Sequence, residues 1–389
     1  MTSTLPIRPM NTNPGGVINP NDLIGRAVEL GQLLSAVDTG GAKLLGDRRM
    51  GKTSLLRLLE EELQAAGHTV VRVSAETEDP AVFSRNLVEV MRKNQLLGRE
   101  WGRWQQEFGG EVTVNAGVAG VRLRAHAATA SDAGVDFFRR CAEAVERSGP
   151  HRLVFIFDEI TVLARALGPD GAVEFMRTLR QSRQEIERVS MILSGSIGLH
   201  HAVTDMSVVN DIVPITVSPL ADWEATYLAR CLLRGESLAA ANEVEIAETI
   251  ADQTCSIPFY VHKLVEDLAN RGSQSVATAD VIDVVDHALR NKLWEMEHYI
   301  DRVPKYYGDE AALVLRVLDV YARSVDPLEI DAIANQLGTV GDELRPSRDT
   351  LIRLVGRLED DHYLVRLGAA DRFATSLLRR AWREMRRLG

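Results

Sequence analysis

Apolar positions along this chain follow two rhythms, and the switches between them outline the fold. Short, nearly unbroken apolar runs occur at Lys43-Leu44-Leu45, Thr69-Val70-Val71-Arg72-Val73, Leu153–Phe157, Val189–Leu193 and Ile212–Val217. A run such as Leu153–Phe157 marks a strand buried on both faces, as in a parallel sheet. Elsewhere the spacing lengthens to three and four residues. Val28, Leu30, Leu33, Leu34 and Val37 predict a helix from about Arg26, with Asn21 or Asp22 as its cap. Further helices are expected over 54–63, from Asp79-Pro80 to about Arg92, and over 132–147 and 172–187. Strands alternating with crossover helices give an α/β core with a parallel sheet over residues 21–220. Residues 1–20 show neither rhythm and are expected to be a disordered lead-in. Within the core, residues 101–130 contain VTVNAGVAGVRLRA, whose β-branched and small residues around glycines predict a hairpin insert.

After residue 220 only the helical rhythm persists at first. Asp222–Gly235, Glu243–Gln253, Pro258–Arg271 and Thr278–Trp294 are the expected helices of an α-helical lid over 221–303. Residues 304–389 give three helical runs: Ala311–Arg323, Pro327–Leu337 and Ser347–Asp361. The last carries Leu351, Leu354, Val355 and Leu358 on one face. Leu364–Leu367 and Arg372–Thr375 follow as short strands, and an Arg-rich segment closes the chain. Helix, helix, helix, wing is the outline of a winged helix-turn-helix.

Composition narrows the setting. No apolar run approaches the ~18–20 residues of a membrane span. The first residues lack the basic region and apolar stretch of a signal peptide. Cys141, Cys231 and Cys255 are scattered without metal-ligand spacing, which fits a reducing cytoplasm. The formal net charge of −10 argues against a nucleic-acid binder over its whole surface. Basic residues nevertheless crowd the C-terminal segment.

The sharpest chemical signal is GDRRMGKTS, from Gly46 to Ser54. Every fixed position of the phosphate-loop pattern G-x-x-x-x-G-K-[ST] is filled. The two glycines let the backbone curl so that the N–H groups of Asp47, Arg48, Arg49, Met50 and Gly51 surround a polyphosphate. Lys52 supplies charge for the β- and γ-phosphates, and Thr53 a hydroxyl for Mg²⁺. The helix that follows points its N-terminus at the anion. A nucleoside triphosphate is the expected ligand, ATP with Mg²⁺. A second motif, Asp158-Glu159, ends an apolar strand, where ligands sit in open α/β sheets. Asp158 is read as the metal-side carboxylate, and Glu159 as the base that polarises water. Ser196, in Ser194-Gly195-Ser196 at the end of the next strand, is read as a sensor of the γ-phosphate or of the water.

GDRRMGKTSLL, FIFDE, LSGS, LIGRAVEL and PFYVHKL together resemble the AAA+/STAND-related archaeal-type ATPases. These are similar to origin-recognition initiators, and the group extends into bacteria. The C-terminal DHYLVRLGAADRFATSLLRRAWREMRR is similar to the end of bacterial members. The resemblance implies that Ile24, Gly25 and Arg26 lie by the adenine and that Pro258 closes over the base. It also implies that Arg48 and Arg49 touch neighbouring elements or a second subunit. One departure stands out: the family's lid turn usually carries glycines before the proline, where this chain has Cys255-Ser256-Ile257.

Ring-forming AAA+ enzymes place an arginine finger between the sensor strand and the last core strand. Here no arginine or lysine occurs between Arg188 and Arg230. Arg177, Arg180 and Arg183 are the nearest substitutes, and their spacing of three also suits a solvated stripe. Three functions follow. One is a slow ATP-hydrolysing switch whose nucleotide state controls partner or DNA engagement, or self-association, through the lid and winged helix. Another is a DNA-binding initiator, loader or regulator, with Arg353, Arg357, Arg379 and Arg380 as the DNA or partner contacts. The third is a non-hydrolysing interaction protein in a defence or regulatory system.

Overall fold

Strands buried on both faces need helices on both sides, and the computed structural model of this chain has that layering. It describes residues 6–16, 18–94, 96, 130–146, 151–196, 198–272, 275–338 and 346–388. The hairpin expected over 101–130 lies outside them, apart from the helix start at Ala130. The chain divides into two units. A sheet unit holds Arg26–Arg48 and Lys52–Val217. A helical unit holds the described residues of Met1–Gly25, Arg49–Gly51 and Ser218–Gly389.

In the sheet unit the order along the chain is α1 (Ala27–Asp38), β1 (Gly41–Leu45), α2 (Lys52–Ala65), β2 (Thr69–Ser74), α3 (Pro80–Lys93) and α4 (Ala130–Glu146). Then come β3 (Leu153–Asp158), α5 (Ile160–Ala166), α6 (Gly168–Glu185), β4 (Val189–Gly195) and β5 (Val213–Thr216). The five strands are parallel in the order β2-β3-β4-β1-β5. Side chains alternate across the sheet. Val71, Val73, Phe155, Phe157, Met191 and Leu193 face α3, α4 and α6 as one apolar core. The opposite face, with Val70, Ile156, Ile192 and Leu44, is covered by α1 and α2. Asp158 and Ser190 share that second face: Asp158 accepts from Thr53 on α2, and Ser190 donates to the Val37 carbonyl on α1.

The cap of α1 is Arg26, not Asn21 or Asp22, because a 3₁₀ turn at Pro20–Asp22 intervenes. Asn19 caps that turn instead. Arg183 is no part of a solvated stripe. Its side chain is 3% exposed, and one terminal nitrogen of its guanidinium donates to both Asp211 oxygens, at 3.1 and 2.9 Å.

The helical unit contains α7 (Asp222–Gly235), α8 (Glu243–Gln253), α9 (Pro258–Asn270), α10 (Thr278–Arg290), α11 (His298–Tyr307), α12 (Ala311–Arg323), α13 (Ile330–Gly338) and α14 (Arg348–Asp360), and it ends on α15 (Ser376–Arg386). Two-stranded β6 (Ala239–Ala240) and β7 (Ser275–Val276) lie among the first four helices. β8 (Leu328–Glu329), β9 (Leu364–Leu367) and β10 (Ala370–Phe373) form an antiparallel sheet in the order β8-β10-β9. Leu351, Leu354, Val355 and Leu358 are all buried, as their spacing on α14 requires. On α15, Trp382 donates to Asp319, which also accepts both Arg386 bonds.

The lead-in expected to be disordered is tied down from Pro6 onward. The Met10 N–H donates to the Cys231 carbonyl, Thr12 donates twice to Glu236, and the Pro6 carbonyl accepts from Tyr227. The Asn13 N–H donates to His262 Nδ1, whose pKa burial lowers to about 4, so the ring stays neutral and able to accept. Partner groups more than 200 residues away supply this order, which local composition cannot reveal.

Candidate nucleotide site

Three strand ends converge in the sheet unit. β1 runs into the phosphate loop, β3 ends in Asp158-Glu159, and β4 ends just before Ser196. Gly46 leaves β1 with φ 147°, and a Cβ there would stand 2.6 Å from the Val217 carbonyl oxygen. Gly51 has φ 87°. Both positions take backbone that glycine adopts without strain. Asp47 is buried and its Oδ1 accepts the Arg48 N–H at 2.8 Å, which fixes the loop from within. Ser54 lies in the first turn of α2.

Lys52 is 5% exposed and its ammonium donates to the carbonyls of Gly46 and Asp47, at 2.8 and 2.9 Å. Glu159 Oε1 stands 3.9 Å away. Burial lowers the lysine pKa, against the pull of Glu159, Asp47 and Asp158. The ammonium therefore folds back onto its own loop, a position an incoming phosphate would draw it from.

Thr53 Oγ1 donates to Asp158 Oδ2 at 2.9 Å. The other oxygen, Asp158 Oδ1, is buried with no hydrogen-bond partner. An unsatisfied buried carboxylate oxygen costs ~1–3 kcal/mol or more. A hard cation with its water shell removes that penalty, and oxygen donors of this kind suit Mg²⁺. A hydroxyl and a carboxylate with a spare oxygen thus fit the metal that the loop motif implies.

Glu159 follows with φ 58°, a left-handed conformation that costs a non-glycine residue roughly 1 kcal/mol. Its Oε2 accepts both the N–H and the Oγ–H of Ser196, at 3.2 and 2.9 Å. Burial raises its pKa, while Lys52 and then Ser196 oppose the shift. Ser196 therefore holds the Glu159 carboxylate through both of its donors.

Sequence reasoning passed over Ser194. Its hydroxyl is fully buried without a partner. Phe157 pairs with Leu193 in the β3–β4 register, so Asp158 and Ser194 are the next cross-strand neighbours, on the face covered by α1 and α2. Two orphaned oxygens thus occupy adjacent register positions, one of them on the carboxylate that accepts from Thr53. The period-two alternation through Ser190, Ile192 and Ser194 was the signal available for finding it.

The remaining predicted residues fall into separate surroundings. Arg26 is buried and paired with Glu29 at 3.1 Å. Arg48 reaches Glu76 at 3.1 Å. In the helical unit, Ile24 and Gly25 precede α1, and Met50 is buried. Arg49 has φ 72° and donates to Tyr260 Oη at 2.9 Å and to the Trp294 carbonyl. Its guanidinium also lies 4.2 Å from the Phe259 ring centroid. Pro258 occupies the first turn of α9, after Cys255 and Ser256 with φ 51° and 55°. The turn keeps left-handed backbone where the family resemblance would place glycines. Ser256 is held there by Asp222 at 3.1 Å and by the Ala251 carbonyl.

Arg353 and Arg357 both close on Glu310, each at 2.6 Å. Arg379 donates to the carbonyls of Ala322 and Ser324, and Arg380 to Gln253 and Asp286. All four arginines expected to contact DNA or a partner are therefore engaged internally.

No protein-family model matches this sequence, and no curated protein is significantly similar to it. Solved structures do match. A Walker-type ATPase of Pyrococcus abyssi superposes with a TM-score of 0.64 at 18% identity, covering 97% of this chain and 99% of its own. The Aeropyrum pernix ORC2 protein, solved in ADPNP–ADP complexes, gives 0.54 at 12% identity, over 96% of this chain and 97% of its own. The fold is a P-loop ATPase-like α/β core. At these identities the likeness is one of architecture, which agrees with the parallel sheet and its phosphate loop. Among the described residues no helix is long and apolar enough to cross a membrane.

Proposed function

We propose that this chain binds Mg²⁺-ATP at residues 46–54 and hydrolyses it slowly, as a switch whose nucleotide state governs partner engagement. The observation that carries this reading is the Thr53–Asp158 bond with its orphaned carboxylate oxygen, next to a Glu159 held by Ser196. Lys52 exchanges its two loop carbonyls for phosphate oxygens and thereby places its charge on the β/γ region. Thr53 and Asp158 would hold Mg²⁺, which when bound neutralises phosphate charge. Glu159, aimed by Ser196, takes the proton of the attacking water. In this reading residues 221–303 are a lid and 304–389 a winged helix.

Ser194→Ala is the test specific to this geometry. The hydroxyl has no protein partner, so its removal should not lower the melting temperature. Nucleotide affinity in EDTA should be unchanged, while the gain in affinity on adding Mg²⁺ should shrink severalfold. An unchanged Mg²⁺ response would remove Ser194 from the site.

A slow switch is favoured over a ring motor because Arg183 is locked on Asp211 and Arg180 donates to the Ser207 carbonyl. Turnover per chain should change little as protein concentration rises. A steep rise with assembly, measured by phosphate release across a dilution series, would contradict this. Engagement of DNA through α14 would require Arg353 and Arg357 to leave Glu310.

A further inference from the structure

Within the helical unit, α10 and α15 flank an open cleft of about 300 Å³. Asp286, Leu289 and Arg290 form one wall; Arg380, Arg383, Glu384 and Leu388 form the other. Three guanidinium groups in so small a space repel one another unless anions stand among them. Internal acceptors answer only part of that charge. Arg380 donates to Gln253 at 2.8 Å and to Asp286 at 2.6 Å, so its position is set. Arg290 uses Nε on the Asp286 carbonyl at 3.1 Å. Among the described residues, no side chain or carbonyl accepts from the terminal nitrogens of Arg290 or from the Arg383 guanidinium. Glu384 is exposed and forms no ion pair with either. The crowding reaches Arg379, whose pKa is lowered by burial first and then by Arg383 and Arg380. On a chain of net charge −10 this is a local reversal of sign.

We propose that this cleft binds a small phosphorylated ligand, with Arg383 and Arg290 on the phosphoryl oxygens and Arg380 as a preset third donor. The planar fork of each guanidinium matches phosphate geometry. Leu289 and Leu388 offer an apolar surface to the rest of the ligand. A concave site of this volume suits a molecule of mononucleotide size or smaller, not the backbone of a duplex. The proposal does not depend on the phosphate loop.

Calorimetric titration of inorganic pyrophosphate into full-length Lys52→Ala protein tests it with the phosphate loop silenced. Saturable binding at one site per chain is expected. Arg383→Ala together with Arg290→Ala, in the same background, should weaken it roughly tenfold or more through loss of two charge-assisted contacts. Arg290→Ala alone removes an exposed side chain and should already weaken binding severalfold without lowering the melting temperature. With Lys52 intact, the double arginine variant should bind a fluorescent ATP analogue as the parent does. Absence of saturable pyrophosphate binding, or equal affinity in the arginine variants, would overturn the proposal. So would displacement of pyrophosphate by a short DNA duplex at equal phosphate concentration, which would assign the arginines to nucleic acid.

Discussion

Lys52→Ala is expected to lower ATP affinity on the order of 10²-fold, the weight of a charge-assisted contact to the triphosphate lost in a buried setting. The structure adds a second cause. In the free protein the ammonium satisfies the Gly46 and Asp47 carbonyls at 2.8 and 2.9 Å, so its loss also loosens the loop that should wrap the phosphates. Glu159, with its nearest cation gone, would be further disfavoured as a carboxylate. Equilibrium titration with a fluorescent ATP analogue reads the effect. Equal affinity in variant and parent would remove the phosphate loop from the account.

Glu159→Gln is expected to hold Mg²⁺-ATP while turnover falls roughly 10²–10⁴-fold, the usual range for loss of a general base. Both Ser196 bonds end on a single oxygen of Glu159, and an amide carbonyl can accept the same pair. The glutamine should therefore sit where the glutamate sat, unable to take a proton. Binding and phosphate release, measured side by side, separate these effects. Unimpaired release would move the base elsewhere.

The sheet was legible because its strands are apolar runs, and five buried residues at Leu153–Phe157 leave little alternative to a parallel interior. The phosphate loop was legible because its backbone demands glycine at Gly46 and Gly51. Other features depend on partners distant in sequence. The α11 helix contains Pro304, which hides its period, and α5 is a short helix entered through the left-handed Glu159. Arg183 reads as a surface residue until Asp211 is seen opposite it. Arg353 and Arg357 read as free cations until Glu310 is seen between them. Ser194 was overlooked because a serine ending a strand is ordinary; only the empty hydrogen-bonding capacity of Asp158 beside it gives it meaning. Left-handed backbone at Cys255 and Ser256 could not be inferred from side chains that ordinarily avoid it.

The proposed function requires Lys52, Thr53, Asp158 and Glu159 to act as one hydrolytic site. Single-turnover phosphate release, with protein in excess of radiolabelled ATP, tests it most directly. The expected result is slow, complete, Mg²⁺-dependent conversion by the parent, near-zero conversion by Glu159→Gln despite bound nucleotide, and nucleotide binding weakened about 10²-fold in Lys52→Ala. Tight Mg²⁺-ATP binding by the parent with no release of phosphate over many hours would contradict hydrolysis and leave a nucleotide-binding scaffold in its place.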